Sequence, residues 1–310
     1  MRAYMEWIGR RGTVLMPLGI LIGVAVQPLA HLLFPLLPLT VYVMLTIVLS
    51  RLDVERAIAH IRKPKVFIVS LVYGFLLLPL AMSLIATALP LSPGLTAALV
   101  IYGTSPPNYA AAALAFVMGL DGALTVATIL AATALHPLIT PIFTEFFVGQ
   151  HIHLSATELG LRLAGLIGAS VGSALALSKW LGPERRKAAS TLFDGINVLI
   201  MVVFAIALMA GIPDRVIAQP LYALSLIALA TGLHVGLNLL TAALFLVTGR
   251  DRAMTFGYAQ AGRNIAVVMG VLGSAAPADA WLFFAMLQFP IYCLPMLLKP
   301  LYARLLQFRD

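Results

Sequence analysis

The sequence predicts an all-α integral membrane protein of ten transmembrane helices, arranged as two inverted repeats of five. The first observation behind this prediction is composition. Of the 310 residues, 61% are apolar and 10% are charged, whereas soluble proteins are roughly 25% charged. The second observation is a pair of interruptions in apolar segments, at residues 103–109 and 257–264. Irregular backbone at bilayer depth occurs only where protein or a water-filled cavity satisfies its polar groups, and paired interruptions are typical of a transporter's binding site.

The ten predicted spans are apolar segments long enough to cross the hydrocarbon core, which takes about 20 residues of helix. They lie at 13–28, 31–50, 66–90, 95–118, 122–147, 156–179, 188–211, 217–248, 254–275 and 280–303. The short basic stretch before the first span has no convincing signal-peptide cleavage site, so we expect the first span to be retained.

Basic residues set the expected orientation. With ten spans and both termini in the cytoplasm, 17 of the 20 Lys and Arg residues fall on the cytoplasmic side, as the positive-inside rule requires. They are Arg2, Arg10, Arg11, Arg51, Arg56, Arg62, Lys63, Lys65, Lys179, Arg185, Arg186, Lys187, Arg250, Arg252, Lys299, Arg304 and Arg309. Topology and the anionic inner leaflet then explain the net charge of +8, so no nucleic-acid partner is expected. The expected location is a bacterial inner membrane.

The repeat is predicted to divide the chain into residues 1–153 and 154–310. Predicted spans two and seven begin near residues 31 and 188, and spans five and ten begin near 122 and 280. Because each repeat contains an odd number of spans, the second copy enters the membrane from the opposite face, which is the inverted arrangement of many secondary transporters.

The first interruption contains two consecutive prolines, Pro106 and Pro107. Neither has an N–H group, so the carbonyls of Tyr102 and Gly103 are expected to lose their helical donors. Side-chain oxygens are available within the same turn, from Thr104, Ser105 and Asn108. The half-helix after the break should direct the positive end of its dipole into the site. The alternative interpretation is a proline kink whose free carbonyls are satisfied by neighbouring helices.

The second interruption carries a charge near the middle of a span. Gly257 and Gly262 are expected to loosen the helix around three polar side chains, which are Gln260, Arg263 and Asn264. A central arginine costs about 2.5–3.5 kcal/mol on insertion scales, so it should face a partner or a cavity. The alternative interpretation is a structural salt bridge, for which Asp194 is the obvious carboxylate.

Other polar residues are weaker candidates. His136 and Asp194 are possible proton or charge partners, whereas a lone histidine such as His234 is more often a packing residue. Asp121 begins span five, where a carboxylate complements the helix dipole. The single cysteine, Cys293, excludes a disulfide framework and a cysteine-based metal site. No metal site or cofactor is therefore expected, and sodium is left open.

Five stretches carry a resemblance to a known family. They are Leu52-Asp53-Val54-Glu55-Arg56 with Lys63-Pro64-Lys65, Gly74-Phe75 with Pro79, Gly103-Thr104-Ser105 with Asn108, Pro137-Leu138-Ile139-Thr140-Pro141, and Gly262-Arg263-Asn264. In this order and spacing they resemble the bile acid:sodium symporter family, within the larger group that includes arsenite exporters. The resemblance covers essentially the whole chain. It implies ten helices in inverted repeats, with helices four and nine unwound and crossing at mid-membrane.

The sequence departs from that family at the residues that the resemblance implies for sodium. Where sodium-coupled members have a Gln in helix three and a Glu and a Gln in the second crossover, this chain has Gly74, Ala259 and Arg263. The ligand pair of helix five is reduced to Thr125, with Ile129 at the second position. The resemblance therefore implies a sodium site whose ligands are largely missing.

Arg263 is predicted to stand in for a bound sodium ion. A fixed charge about 4 Å from an anion, at an effective dielectric constant near 20, is worth about 4 kcal/mol. The predicted function is therefore secondary active transport of a small or amphipathic organic anion by alternating access. The alternatives are a sodium-coupled, bile-acid-like symporter with a non-standard ion site, and a channel or sensor of the same fold.

An enzyme is not expected, because the sequence offers no nucleophile with a base, paired carboxylates or metal cluster. The oligomeric state is left open.

Overall fold

The computed structural model describes residues 2–51, 64–109, 111, 115, 120–152 and 154–307. The chain is 89% helical and has no strand among these residues, so the all-α prediction is confirmed. Most of the predicted basic loop after span two and of the half-helix after the first interruption lies outside the described residues. The same is true of the side chain of Cys293.

Fifteen α-helices are found in the part of the chain that the structure describes. They are α1 Arg2–Arg10, α2 Gly12–Ala25, α3 Gln27–Leu33, α4 Leu37–Arg51, α5 Pro64–Val72, α6 Leu78–Ala88, α7 Pro93–Thr104, α8 Gly122–Phe147, α9 Ala156–Ala188, α10 Ser190–Leu208, α11 Ile212–Ala218, α12 Pro220–Leu244, α13 Arg250–Ala261, α14 Ala266–Leu272 and α15 Ala278–Gln307. A π-helical turn, Tyr73–Leu77, joins α5 to α6. Helix α9 is kinked at Gly182, whose φ of 69° favours glycine.

Six helical segments are long and apolar enough to cross a membrane. They are Gln27–Arg51, Phe67–Ala88, Gly122–Phe147, Ala156–Gly182, Ser190–Leu208 and Pro220–Leu244. Shorter apolar helices lie in the remaining predicted spans, at Val14–Ala25, Pro93–Thr104, Ala266–Ala275 and Ala278–Ile291. These segments establish an integral membrane protein. The count of ten spans and their inversion stay predictions.

Packing divides the chain into two compact units that differ from the predicted repeats. The first unit contains Met1–Leu52, Leu161–Pro220 and Met269–Ser274, and the second contains Asp53–Gly160, Leu221–Val268 and Ala275–Asp310. Each unit takes segments from both halves of the sequence. The repeat boundary near residue 153 stays a prediction, because a repeat concerns the order of the chain whereas a compact unit reflects which segments pack together.

In the first unit, glycines allow helices to approach closely. A Cβ on Gly195 of α10 would lie 2.5 Å from the carbonyl oxygen of Met5 in α1, and one on Gly23 of α2 would lie 2.7 Å from that of Ile206. The backbones of α1 and α2 are thus packed directly against α10. Polar side chains add a link between α4 and α9, where the Tyr42 hydroxyl lies 2.6 Å from Ser173 Oγ.

In the second unit, helix starts recur at a nearly constant interval. Helices α5 and α12 begin 156 residues apart, α7 and α13 begin 157 apart, and α8 and α15 begin 156 apart. Side chains at these starts link the two halves of the sequence. Ser92 Oγ donates to Asp279 Oδ2 at 2.6 Å, and the Asp121 N–H donates to Thr255 Oγ1 at 3.2 Å. The interval agrees with the predicted repeat, and the two links fix the helices that carry the interruptions.

Candidate functional site

The first interruption begins where α7 ends, at Thr104. The N–H of Ser105 donates to the carbonyls of Ile101, at 3.0 Å, and of Tyr102, at 3.3 Å. The last turn thus tightens, as often happens at helix ends. The prolines were predicted to deprive the Tyr102 carbonyl of its helical donor, and residue 106 indeed has no N–H group. The N–H of Ser105, one residue earlier, takes the place of the missing donor.

The hydroxyls next to this break bond back to their own helix. Thr104 Oγ1 donates to the carbonyls of Val100 and Ile101 at 3.1 and 3.2 Å, and Ser105 Oγ donates to Ile101 at 2.7 Å. Both side chains are completely buried. Their hydroxyl hydrogens are therefore already used, and only oxygen lone pairs remain for a ligand.

The second interruption is shorter than predicted. Helix α13 continues through Gly257 and Gln260 to Ala261, and α14 begins at Ala266. A Cβ on Gly257 would lie 2.7 Å from the carbonyl oxygen of Asn238. Gly257 therefore permits close packing of α13 on α12, and the prediction that it loosens the helix was wrong.

The two interruptions pair with each other as short antiparallel segments. The Asn108 N–H donates to the Gly262 carbonyl at 2.8 Å, and the Asn264 N–H donates to the Pro106 carbonyl at 2.7 Å. This bridge brings together residues that lie 156 positions apart in the sequence, Pro107 and Arg263. Each break satisfies polar backbone groups of the other, which is what irregular backbone at membrane depth needs.

Each break also receives a side chain from the other. The Tyr102 hydroxyl donates to the carbonyl of Ala261, the last residue of α13, at 2.9 Å. In the opposite direction, Nη1 of Arg263 donates to the carbonyl of Ser105 at 2.8 Å. At the centre of the bridge, Pro107 lies opposite Arg263. The helix ends are thus capped reciprocally, once by a neutral phenol and once by a cation.

Arg263 is fully buried and has no carboxylate partner among the described residues. Its Nη1 makes a second, long contact of 3.5 Å with the carbonyl of Gly74. In the described part of the chain, its Nε and Nη2 atoms have no hydrogen-bond partner. The proposed salt bridge to Asp194 was wrong, because Asp194 pairs with Arg51 at 2.5 Å instead. That pair is partly exposed, which makes Asp194 a poor candidate for a buried proton site.

Gln260 lies against the π-helical turn that contains Gly74. A Cβ on Gly74 would be 2.5 Å from Gln260 Nε2, so a side chain there would displace the amide. Gln260 is fully buried, and neither its amide oxygen nor its nitrogen has a partner among the residues described. The sequence indicated Gly74 only as a missing sodium ligand. The structure adds that this glycine makes room for Gln260.

Of the other candidates in the second unit, His136 lies beside the first break, whereas the hydroxyl of Thr125 bonds within its own helix. His136 Nδ1 is 2.7 Å from Thr140 Oγ1, which in turn lies 3.5 Å from the carbonyl of Thr104. Nε2 of His136 is buried without a partner among the described residues. Thr125 Oγ1 donates to the carbonyl of Asp121, in the first turn of α8.

A second histidine, His234, was not among the predicted site residues. It lies on α12, is 5% exposed, and its Cε1 would be 3.5 Å from a Cβ on Gly262. The sequence gave no sign of this proximity, because α12 and the second break are separate in the chain.

Among the described residues, the paired breaks bring together a buried cation and several polar groups. Eight of the predicted binding residues lie in or beside the paired breaks, namely Thr104, Ser105, Pro106, Pro107, Asn108, Gln260, Arg263 and Asn264. Among the described residues, no group of three His, Cys, Asp or Glu side chains could hold a metal ion. A permanent cation with two unused donors lies at the centre of the site instead.

The apolar helices long enough to cross a membrane define a polytopic membrane protein. The sequence profile of the Sodium Bile acid symporter family matches residues 38–219, more than half of the chain, and the chain belongs to that family. Membership identifies a transporter family and suggests sodium-dependent transport. No curated protein matches the chain. The profile match includes the first break and ends before the second.

Proposed function

We propose that this chain is a secondary active transporter that carries a small or amphipathic organic anion by alternating access, with its substrate site at the paired breaks. The observation that carries the proposal is the state of Arg263. Its guanidinium is buried and held through Nη1 by the Ser105 carbonyl, whereas Nε and Nη2 have no partner in the described part of the chain.

The two unused nitrogens suit a carboxylate. In arginine, Nε–H and Nη2–H point the same way and form a fork that binds both oxygens of a carboxylate. Because Nη1 is fixed by carbonyls of the protein, the fork is oriented before a ligand arrives. A bound carboxylate would satisfy both donors and neutralise the buried charge at once.

The electrostatic balance around Arg263 supports an anionic substrate. A buried charge is costly unless it is paired, and among the described residues Arg263 donates hydrogen bonds to backbone carbonyls and forms no salt bridge. Attraction between Arg263 and an anion about 4 Å away is worth about 4 kcal/mol at an effective dielectric constant near 20. The same charge would repel a cationic substrate by a similar amount.

The contacts of Arg263 also indicate that sodium is not needed for substrate binding. Sodium prefers several oxygen ligands, and the guanidinium of Arg263 already takes the carbonyls of Ser105 and Gly74. Neither Gly74 nor Ala259 offers a side-chain oxygen. The second candidate is a sodium-coupled symporter with a non-standard ion site, which the family membership favours.

The experiment has two stages. First, the thermal stability of the purified chain is screened against small carboxylates in sodium and in potassium buffers, because specific binding raises stability by mass action. Uptake of a stabilising carboxylate is then measured in proteoliposomes in both buffers. We expect equal uptake, and a requirement for sodium would instead support the second candidate.

Arg263→Gln tests the binding role. We expect at least a tenfold loss of carboxylate affinity, because the charge and the fork are removed together. The matched control is Arg51→Gln, which removes an arginine from the partly exposed pair with Asp194. Unchanged affinity in Arg263→Gln, or an equal loss in both variants, would contradict the proposal.

A further inference from the structure

The side-chain amide of Gln260 has no role in the binding of a simple carboxylate by Arg263. Buried amide groups almost always have hydrogen-bond partners. Gln260 is fully buried, yet its oxygen and its nitrogen both lack partners among the described residues. Another buried glutamine of the same unit behaves in the ordinary way, since Gln288 Nε2 donates to the carbonyl of Phe284 at 3.0 Å.

The guanidinium of Arg263 and the amide of Gln260 both lie beside one residue, Gly74. Nη1 of Arg263 is 3.5 Å from the Gly74 carbonyl, and Nε2 of Gln260 is 2.5 Å from the position of a Cβ on the same glycine. The two side chains also follow each other by three residues at the end of α13. A single small ligand can therefore meet both.

The two side chains offer different chemistry to such a ligand. The fork of Arg263 provides two donors, which match a carboxylate. The amide of Gln260 provides one acceptor and a pair of donors, and a hydroxyl group is the smallest group that can use both kinds. An ammonium group would use only the acceptor, and no carboxylate among the described residues pairs with Arg263 to balance the additional charge.

We propose that Gln260 and Arg263 together select a small carboxylate with a hydroxyl group on the neighbouring carbon, that is, a 2-hydroxy acid. The inference rests on the proposed function, because Arg263 has to bind the carboxylate. The ligand is small, since both side chains are completely buried and the site has to enclose it. Gly74 contributes by leaving space for the Gln260 amide.

The test uses two acids that differ in the hydroxyl group alone, lactate and propionate. Their dissociation constants are measured by calorimetry on the purified full-length chain. We expect lactate to bind about tenfold more tightly, which is the scale of one or two well-formed hydrogen bonds. In Gln260→Met the preference should disappear through weaker lactate binding, with propionate affinity unchanged.

The controls separate this inference from the proposed function. Gln288→Met removes a buried glutamine whose amide is satisfied within its helix, and it should retain the preference for lactate. Equal binding of the two acids to the unaltered chain would overturn the inference, and would also indicate that water satisfies Gln260. Binding of neither acid, nor of any carboxylate in the stability screen, would overturn the proposed function itself. The comparison of lactate and propionate binding to the unaltered chain tests the inference even if Gln260→Met does not fold.

Discussion

The two breaks contribute different groups to the bridge between them: the first contributes a hydrogen-bond acceptor and the second a cationic donor. The first is electrically neutral, and it turns the Ser105 carbonyl toward its partner while its hydroxyl hydrogens bond back to α7. The second supplies Arg263, a permanent charge that takes this carbonyl and keeps two donors unused among the described residues. Breaks at corresponding positions of the predicted repeat thus differ in their chemistry. One provides the acceptor that orients the other's cation.

The family match does not extend to both breaks. The profile match covers residues 38–219 and so includes the first break but not the second. A site assembled from both breaks has its charge in the part of the chain outside the match. If the proposed site is correct, its charged residue lies outside the part of the chain that the family profile matches.

The largest effect is expected when the guanidinium of Arg263 is removed and a sodium ion can take its place. In Arg263→Ser, the carbonyls of Ser105 and Gly74 lose their donor, which costs about 1–3 kcal/mol for each unsatisfied buried group. The new hydroxyl and the two carbonyls are hard oxygen ligands of the kind that sodium binds. We expect a lower melting temperature in potassium and a partial recovery in sodium.

The unaltered chain is the control for this exchange, and it should melt at the same temperature in both salts. Sodium stabilisation of the unaltered chain would mean that the second break does not replace an ion. A variant indifferent to sodium would mean that the two carbonyls do not form a cation site once the guanidinium is removed.

An intermediate effect should distinguish two glycines near the second break. Gly257→Ala puts a Cβ 2.7 Å from the Asn238 carbonyl, and overpacking of this kind costs about 1–3 kcal/mol. Gly262→Ala meets its nearest neighbours at 3.5 and 3.6 Å in an extended conformation that any residue adopts, so it should cost less than about 0.5 kcal/mol. Thermal unfolding of the two variants provides the comparison. If Gly262→Ala were the more damaging, the break itself would require glycine.

The positions of the breaks could be predicted from the sequence, and most of their partners could not. Consecutive prolines remove donors wherever they occur, so the interruption at Pro106 was visible in the residues themselves. The carbonyl that accepts a hydrogen bond from Arg263 could not be predicted from the sequence. Every residue carries a backbone carbonyl, so residue type does not indicate which one will be the acceptor. The alternative interpretation, a salt bridge to Asp194, assumed that a buried charge pairs with an opposite charge, whereas that carboxylate pairs with Arg51.

The directions of the polar side chains could not be predicted for a related reason. A serine or threonine in a helix can bond the carbonyl four residues earlier, and this local option competes with any ligand. Thr104 and Ser105 both take it. Residue type indicates which groups are present near a site, but the direction of each hydroxyl depends on the backbone around it.

The smallest effect is expected at Thr104, where the sequence predicted a ligand. Thr104→Val keeps the shape of the side chain and removes a hydroxyl that donates to Val100 and Ile101. Those carbonyls also belong to helix α7, so the loss should be at most about 1 kcal/mol. Carboxylate affinity should change less than twofold, measured by the same calorimetry as for Arg263→Gln. A tenfold loss of affinity would mean that the first break contributes a side-chain ligand after all, and that the division of roles between a neutral break and a charged one is wrong.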